Sequence, residues 1–244
     1  FFHIKKDNCF IFFYEELVNS ATSSQSTAEF NFKGKLLNYI FVERSKMNLA
    51  NASDRDVILE IFLQSYKDNP HVRYLIGDQF VTSRLKTLAN FVFDIAMKRK
   101  GIYLSEDKQG VVVMFPCASI QLNSKEKIKQ YLMVIRAFNL YRLFKIINIE
   151  AAIKLERKAN PNDLYVWFYG VSEQGAKLDT ARKLMKAMFE LSLTQQVDLI
   201  AETSLARNQK IYERFGFVTY HKRAFDFPVF FMRRAHEVPI TTLT

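Results

Sequence analysis

The sequence of 244 residues is poor in cysteine, glycine, proline and tryptophan, with 2 Cys, 7 Gly, 5 Pro and 1 Trp. Cys9 and Cys117 lie far apart, without a Cys-x-x-Cys motif or a histidine at metal-ligand spacing, so we predict no zinc or other metal site and a reduced, cytoplasmic compartment. The scarcity of Gly and Pro argues against a loop-rich all-β architecture. The sequence also lacks an apolar run of the roughly 18 residues that a membrane-spanning helix needs.

What the sequence does contain is apolar side chains and positive charge. Hydrophobic residues make up 49% of the chain and 23 residues are Phe, which is enough to fill a substantial core. The formal net charge is +10, and this excess attracts polyanions such as nucleic acid, anionic lipid or a phosphorylated cofactor. A simple solvated basic surface explains the charge equally well. Because no nucleic-acid-binding motif accompanies it, nucleic acid is the weaker interpretation.

The segment 1–46 differs from the rest of the chain. It holds two aromatic clusters separated by the polar stretch 19–27, and it shows no sustained helical or strand periodicity. Met47 immediately precedes a strand pattern, so we hypothesise that 1–46 is a poorly ordered arm or upstream translation. Residues 47–236 form one predicted α/β domain without internal repeats, and 237–244 form a tail.

Residues 53–158 read as helices around one β-hairpin. The cap-and-acid pattern at Ser53 predicts a helix that ends before Pro70, and a second helix is predicted over 83–98. Strands at 101–105 and 111–115 flank a turn. Residues 124–158 predict two basic helices. Packing of their apolar positions (Ile128, Leu132, Ile135) into the core is favoured over an amphipathic membrane-surface role.

The second half of the chain predicts a pair of parallel strands. Residues 164–171 form a continuous apolar run, typical of a central strand, and a helix is predicted over 178–193. The next strand is predicted at 197–202. A strand, helix and strand at this spacing indicate two parallel neighbours. A last strand is predicted at 228–233.

The run 199–217 carries the most specific pattern. It predicts a buried strand, a polar loop that ends in Asn208, a short helix with Tyr212, and a stop at Gly216, since glycine accepts the left-handed conformation that ends helices. The segment Ile211–Phe217 reads I-Y-E-R-F-G-F. This order resembles the late part of the GNAT superfamily of N-acetyltransferases. The resemblance implies a mixed, largely antiparallel sheet of about six to seven strands flanked by helices, with a splayed parallel pair at its centre.

The resemblance also implies a cofactor site for acetyl-CoA. By likeness, the strand Phe168, Tyr169, Gly170 and Val171 would pair with the pantetheine arm, and the following turn would hold the diphosphate. The implied turn residues are Ala176, Lys177, Asp179, Thr180 and Ala181. Here the chain departs from the family: Ala176 and Lys177 replace the usual Gln and Gly, and Asp179 replaces a second Gly. A carboxylate beside a diphosphate opposes binding, although a helix N-terminus still attracts anions.

The same resemblance suggests catalytic roles. Tyr212 matches the tyrosine that protonates the departing thiolate, and Asn208 matches the residue that contacts the pantetheine arm. Glu202 ends the strand beside the implied cofactor gap, so it is the candidate general base. The expected activity is direct acetyl transfer to a primary amine of a small molecule or peptide. A non-catalytic GNAT-fold binding protein is the alternative, and neither the acceptor nor the oligomeric state is predicted.

Overall fold

The computed structural model describes residues 47–120, 122–138, 143–177 and 179–240. The predicted arm 1–46 and the last residues of the tail, 241–244, lie outside these ranges. Within them, no helix is both long and apolar enough to cross a bilayer.

Seven strands form one mixed sheet, which confirms the predicted fold class. They are β1 (Met47–Leu49), β2 (Ile102–Ser105), β3 (Gly110–Pro116), β4 (Leu164–Val171), β5 (Leu199–Thr203), β6 (Val218–Ala224) and β7 (Pro228–Arg234). Their spatial order is β1-β2-β3-β4-β5-β7-β6. Every neighbouring pair is antiparallel except β4 and β5, which are parallel. The helix between β4 and β5 supplies the crossover that parallel strands require.

Eight α-helices flank the sheet in the described part of the chain. They are α1 (Arg55–Tyr66), α2 (Pro70–Ile76), α3 (Val81–Lys98), α4 (Ser124–Ala137), α5 (Leu143–Glu156), α6 (Glu173–Lys177), α7 (Thr180–Gln195) and α8 (Ala206–Arg214). One core packs side chains of α1 to α5 against the sheet face that carries Tyr165 and Trp167. A second core packs α7 and α8 against the opposite face, which carries Leu164 and Tyr169. The alternation of side chains along β4 therefore separates the two cores.

Two helix starts differ from the sequence prediction. Asn51, not Ser53, caps the first helical segment: its side chain accepts from Ser53 N, and Asp54 completes a capping box. Pro70 does not merely end a helix. It occupies the first turn of α2, whose start Asn69 caps through Val72 N. Proline suits the first helical turn because the N–H that it lacks would have no partner there.

The orientation of α4 is the reverse of the prediction. Ile128, Leu132 and Ile135 were expected in the core, but they are 64%, 46% and 42% exposed. Glu126 is buried instead, with its carboxylate 3.1 Å from Arg99 Nη2. Glu126 also closes the capping box with Asn123, so two polar contacts fix which side of the helix faces inward. A buried carboxylate needs such partners, and here they outweigh the apolar periodicity.

Candidate active site

The parallel strands β4 and β5 separate soon after they begin. Their register contains two pairs, Leu164 with Leu199 and Tyr165 with Ile200. Beyond these pairs, β4 continues along β3 to Val171, while β5 continues along β7 to Thr203. The two strands therefore bound a wedge that opens toward their C-terminal ends. This is the splayed pair that the sequence predicts.

A β-bulge marks the point of divergence. Val113 pairs with Phe168 and Met114 with Val166, so Trp167 is the additional residue in β4. A bulge bends its strand and increases the local twist. It follows the last residue that β4 pairs with β5, which gives a physical reason for the opening at this place.

The predicted cofactor strand is packed tightly on both faces. Phe168 stacks on Phe62 and Tyr66 of α1, with ring centroids 4.7 Å apart in both cases. A Cβ at Gly170 would lie 2.6 Å from Ser65 Oγ, and that hydroxyl donates to the carbonyl of Val171 at 3.2 Å. Gly170 thus permits the close approach of α1. The backbone edge of β4, not its side chains, is what remains to meet a ligand in the wedge.

Tyr169 connects the cofactor strand to the predicted phosphate helix. Its hydroxyl donates to the carbonyl of Ala181 in the first turn of α7. Burial raises the pKa of Tyr169 well above its ordinary value, and the nearby Tyr212 and Asp179 raise it further. Tyr169 is therefore a neutral donor at physiological pH. The Tyr169 hydroxyl is thus hydrogen-bonded to Ala181, and the electrostatic influence of Tyr212 and Asp179 reaches it.

The predicted phosphate turn contains a short helix. Ala176 lies in α6, and its N–H donates to the carbonyl of Ser172. The Ser172 hydroxyl accepts from Gly175 N at 2.9 Å. A Cβ at Gly175 would lie 2.7 Å from the carbonyl oxygen of Gln109, so this glycine serves the packing of α6 against the β2–β3 turn. The backbone N–H groups of this segment are thus partly committed to protein acceptors.

Two carboxylates lie at the start of α7. Asp179 precedes its first residue in a left-handed conformation, with φ of 60°, and pairs with Arg182 Nε at 2.8 Å. Thr180 donates its hydroxyl to Asp107 in the β2–β3 turn. Burial would raise the pKa of Asp107, but hydrogen bonds from Ser105 and Thr180 hold it below the ordinary value. Asp107 is therefore ionised near the positive end of α7.

Tyr212 and Asn208 share one face of α8. They lie four residues apart, the spacing that aligns side chains along a helix, and both are buried. Tyr212 belongs to the core that contains Ala201 of β5, and its ring centroid is 5.4 Å from that of Phe217. Asn208 was predicted in a loop, but α8 already begins at Ala206. Gly216 ends this segment with φ of 84°, as predicted.

Glu202 forms a buried ion pair that sequence reasoning does not reveal. Its carboxylate accepts hydrogen bonds from Arg157 Nε at 2.5 Å and from Arg157 Nη2 at 3.0 Å. The hydroxyl of Tyr165 donates to Glu202 Oε2 at 2.9 Å. Burial alone would lower the pKa of Arg157, but the adjacent carboxylate raises it above the ordinary value. Both carboxylate oxygens of Glu202 are thus occupied, which favours a positioning role over proton abstraction.

Neither a thiol nucleophile nor a metal cluster accompanies the wedge in the described part of the chain. Burial raises the pKa of Cys117 to about 12, so its thiol stays protonated at neutral pH and is a poor nucleophile. The residues described contain no group of three or more His, Cys, Asp or Glu side chains that could hold an ion.

Ser204 is a further residue that the sequence does not single out. It directly follows β5, at the end where the wedge opens, and it is buried. Within the described ranges its Oγ has no hydrogen-bond partner. A buried hydroxyl without a partner costs free energy, so it calls for an explanation, and a bound ligand would provide one.

Several solved structures share this architecture. The C-terminal condensation domain of Ebony, in complex with beta-alanyl-dopamine, superposes with a TM-score of 0.58 at 9% identity, over 78% of this chain and 98% of that one. Arylalkylamine N-acetyltransferase 2 from Aedes aegypti superposes with a TM-score of 0.55 at 14% identity, over 79% of this chain and 99% of that one. An HPA2-related acetyltransferase from Corynebacterium glutamicum superposes with a TM-score of 0.52 at 15% identity, over 79% of this chain and 97% of that one.

No protein-family model and no curated protein matches the sequence. Identities of this size establish shared architecture and nothing finer. The sheet order, the parallel pair and the flanking helices agree with these neighbours across most of the chain. This chain has the fold of the GNAT N-acetyltransferases.

Proposed function

We propose that this protein transfers an acetyl group from acetyl-CoA to a primary amine. The observation that carries the proposal is the wedge between β4 and β5, with Tyr212 of α8 close to Tyr169 of β4. A strand edge offers N–H and C=O groups to an amide-containing ligand as it would to another strand. The pantetheine arm contains two such amides, so it would lie along Phe168–Val171.

The reaction would proceed by direct attack in a ternary complex. The amine nitrogen forms a bond to the acetyl carbon, the carbon–sulfur bond breaks, and the thiolate takes a proton from Tyr212. The attacking nitrogen loses a proton to water, and Tyr212 regains a proton from solvent, which closes the cycle. Glu202 would not take that proton directly, because Arg157 and Tyr165 hold both of its oxygens. We propose that Glu202 instead fixes the position of β5 at the wedge.

Two further residues would contact the cofactor. Asn208, one turn before Tyr212, offers an amide to the pantetheine arm. Ser204 would donate its buried hydroxyl to a carbonyl group of the cofactor, which gives that hydroxyl the partner it lacks in the described chain. The diphosphate would meet the start of α7, where Thr180 and Ala181 lie. Asp179 would oppose it, and Asp107 already occupies part of this positive helix end.

A calorimetric titration with acetyl-CoA tests the proposal. Tyr212→Phe should retain binding, because it removes one hydroxyl, but turnover should fall about 100-fold or more if the tyrosine is the general acid. Tyr220→Phe is the matched control: Tyr220 lies on β6, which pairs with β7 and does not border the wedge, and its hydroxyl accepts from Lys158 N, so turnover should be unchanged. No binding at millimolar acetyl-CoA would refute the proposal.

The acceptor should be sought among small amines first. Release of free thiol can be measured across arylalkylamines, polyamines and peptides with a free N-terminus. Arylalkylamines belong in this panel because a structural neighbour bears that name. The carboxylates at α7 favour one alternative, a non-catalytic binding protein of the same fold. Binding of an amine with no release of free thiol from acetyl-CoA would support that alternative.

A further inference from the structure

The connection between β3 and β4 is far longer than the sheet requires. These strands are antiparallel neighbours, which a turn of about two to five residues can join. Here α4 and α5 lie between them. Because the described part of the insertion adds no strand, its outer surface is available for a role separate from the wedge.

The outer face of α4 is an apolar stripe. Ile128, Tyr131, Leu132 and Ile135 follow the i, i+3, i+4, i+7 spacing that places side chains on one helix face. Their exposed fractions are 64%, 67%, 46% and 42%. The opposite face is fixed inward by Glu126, as described above. The stripe therefore faces away from the core in the structure described.

Positive charge borders this stripe. Lys125, Lys129 and Arg136 lie along one side of it and Lys127 along the other, as helical geometry at 3.6 residues per turn dictates. Glu126 is the acidic residue of α4, and it faces inward. Lys129 Nζ lies 3.5 Å from Asp94 Oδ2 of α3, an exposed pair that salt and lipid can compete with. The outward surface of α4 thus combines large apolar side chains with a basic border.

We propose that α4 binds the surface of an anionic phospholipid membrane. The helix would lie in the plane of the interface, with the apolar stripe among the acyl chains and the lysine and arginine head groups on lipid phosphates. Apolar burial together with a basic cluster is the two-part signal that peripheral anchoring needs. Tyrosine suits this depth because its ring is apolar and its hydroxyl polar.

Charge argues against a second copy of this chain as the occupant. Pairing α4 with its symmetry mate would bring Lys125, Lys129 and Arg136 close to the same residues of the other copy. Like charges across an interface cost free energy, whereas an anionic lipid surface compensates them. An acidic protein could compensate them as well. Large apolar side chains with a basic border on both sides are the pattern of a helix that lies on a membrane surface.

Vesicle sedimentation of the full chain tests the proposal. The protein should sediment together with vesicles that contain about one third phosphatidylserine, and little of it should sediment with pure phosphatidylcholine vesicles. Raising the ionic strength should release it. Ile128→Ser with Leu132→Ser should weaken partitioning about tenfold or more, and Lys125→Gln or Lys129→Gln about fivefold each. Leu193→Ser, an exposed leucine on α7, is the matched control and should bind as the parent does.

A fluorescence measurement identifies the occupant. Tyr131→Trp places a probe in the stripe, and the native Trp167 is buried. Brominated lipid should quench the new tryptophan in anionic vesicles. The proposal is overturned by absence of vesicle binding, by equal binding to both lipid compositions, or by unchanged binding of the serine variant. Self-association that Ile128→Ser abolishes would assign the stripe to another copy of this chain. A tryptophan probe that is already shielded from solvent without lipid would assign the stripe to this chain's own residues 1–46.

Discussion

Removing the charge of Asp179 should tighten the binding of acetyl-CoA. This residue stands at the start of α7, where the diphosphate is proposed to lie, and its side chain is about half exposed. Its φ of 60° is a conformation that glycine and asparagine tolerate well. Asp179→Gly and Asp179→Asn therefore leave the backbone unstrained, while both remove one negative charge.

The expected gain follows from Coulomb's law. A carboxylate about 6 Å from two phosphate charges costs about 1.4 kcal/mol at a dielectric constant of about 80. This is about a tenfold change in Kd at low salt. At physiological ionic strength, a Debye length of about 8 Å roughly halves the energy and leaves about a threefold change. The loss of the exposed Asp179–Arg182 pair costs little stability.

Calorimetry with two ligands separates charge from backbone access. If repulsion is the cause, Asp179→Gly and Asp179→Asn should increase the affinity for acetyl-CoA equally. Neither variant should change the affinity for S-acetylpantetheine, which lacks the diphosphate. If close approach of the backbone to the diphosphate also matters, Asp179→Gly should increase the affinity more than Asp179→Asn does. Asp78→Asn, a surface acid between α2 and α3, is the charge control. Equal affinities for all proteins, or the same gain with S-acetylpantetheine, would refute the placement of the diphosphate at α7.

Further substitutions, each with a control, test the buried polar groups. Ser204→Ala should leave the melting temperature unchanged or raise it, because it removes a hydroxyl without a partner in the described chain, yet weaken acetyl-CoA binding about fivefold. Ser192→Ala, which removes a hydroxyl that donates to Val197, should cost about 1 kcal/mol of stability and leave the affinity alone. Arg157→Met should destabilise the fold by about 3–5 kcal/mol in chemical denaturation, since Glu202 would remain buried and charged. Adding Glu202→Gln should recover most of that loss; an unaltered loss would show that Arg157 acts through its other contacts.

Local patterns predicted the elements that depend on local physics. The apolar run 164–171 became β4 with the predicted bounds, because a strand covered on both faces needs apolar residues at every position. Gly216 ended its helical segment as glycine does elsewhere. The bulge at Trp167 escaped prediction since a tryptophan inside an apolar run looks like any other strand residue. Its role depends on the register with β3, which the run itself does not encode.

Long-range pairing decided what the sequence could not. Apolar spacing alone directs Ile128 and Ile135 of α4 inward, but the contact of Glu126 with Arg99, which directly follows α3, turns them outward. Glu202 and Arg157 are 45 residues apart, so no local pattern joins them. Helix α8, which a single segment supplies, was thus predictable, whereas the pair of Glu202 and Arg157, which distant segments form, was missed.

The brief register between β4 and β5 also has a mechanical consequence. Strands β1 to β4 and strands β5 to β7 are joined by two residue pairs. Two ion pairs add to this junction: Arg157 with Glu202 of β5, and Arg233 of β7 with Asp163, which precedes β4. A slender ligand that paired with both strands would lengthen this junction. Its binding would therefore also stiffen the sheet, and the free energies of binding and stiffening would be coupled.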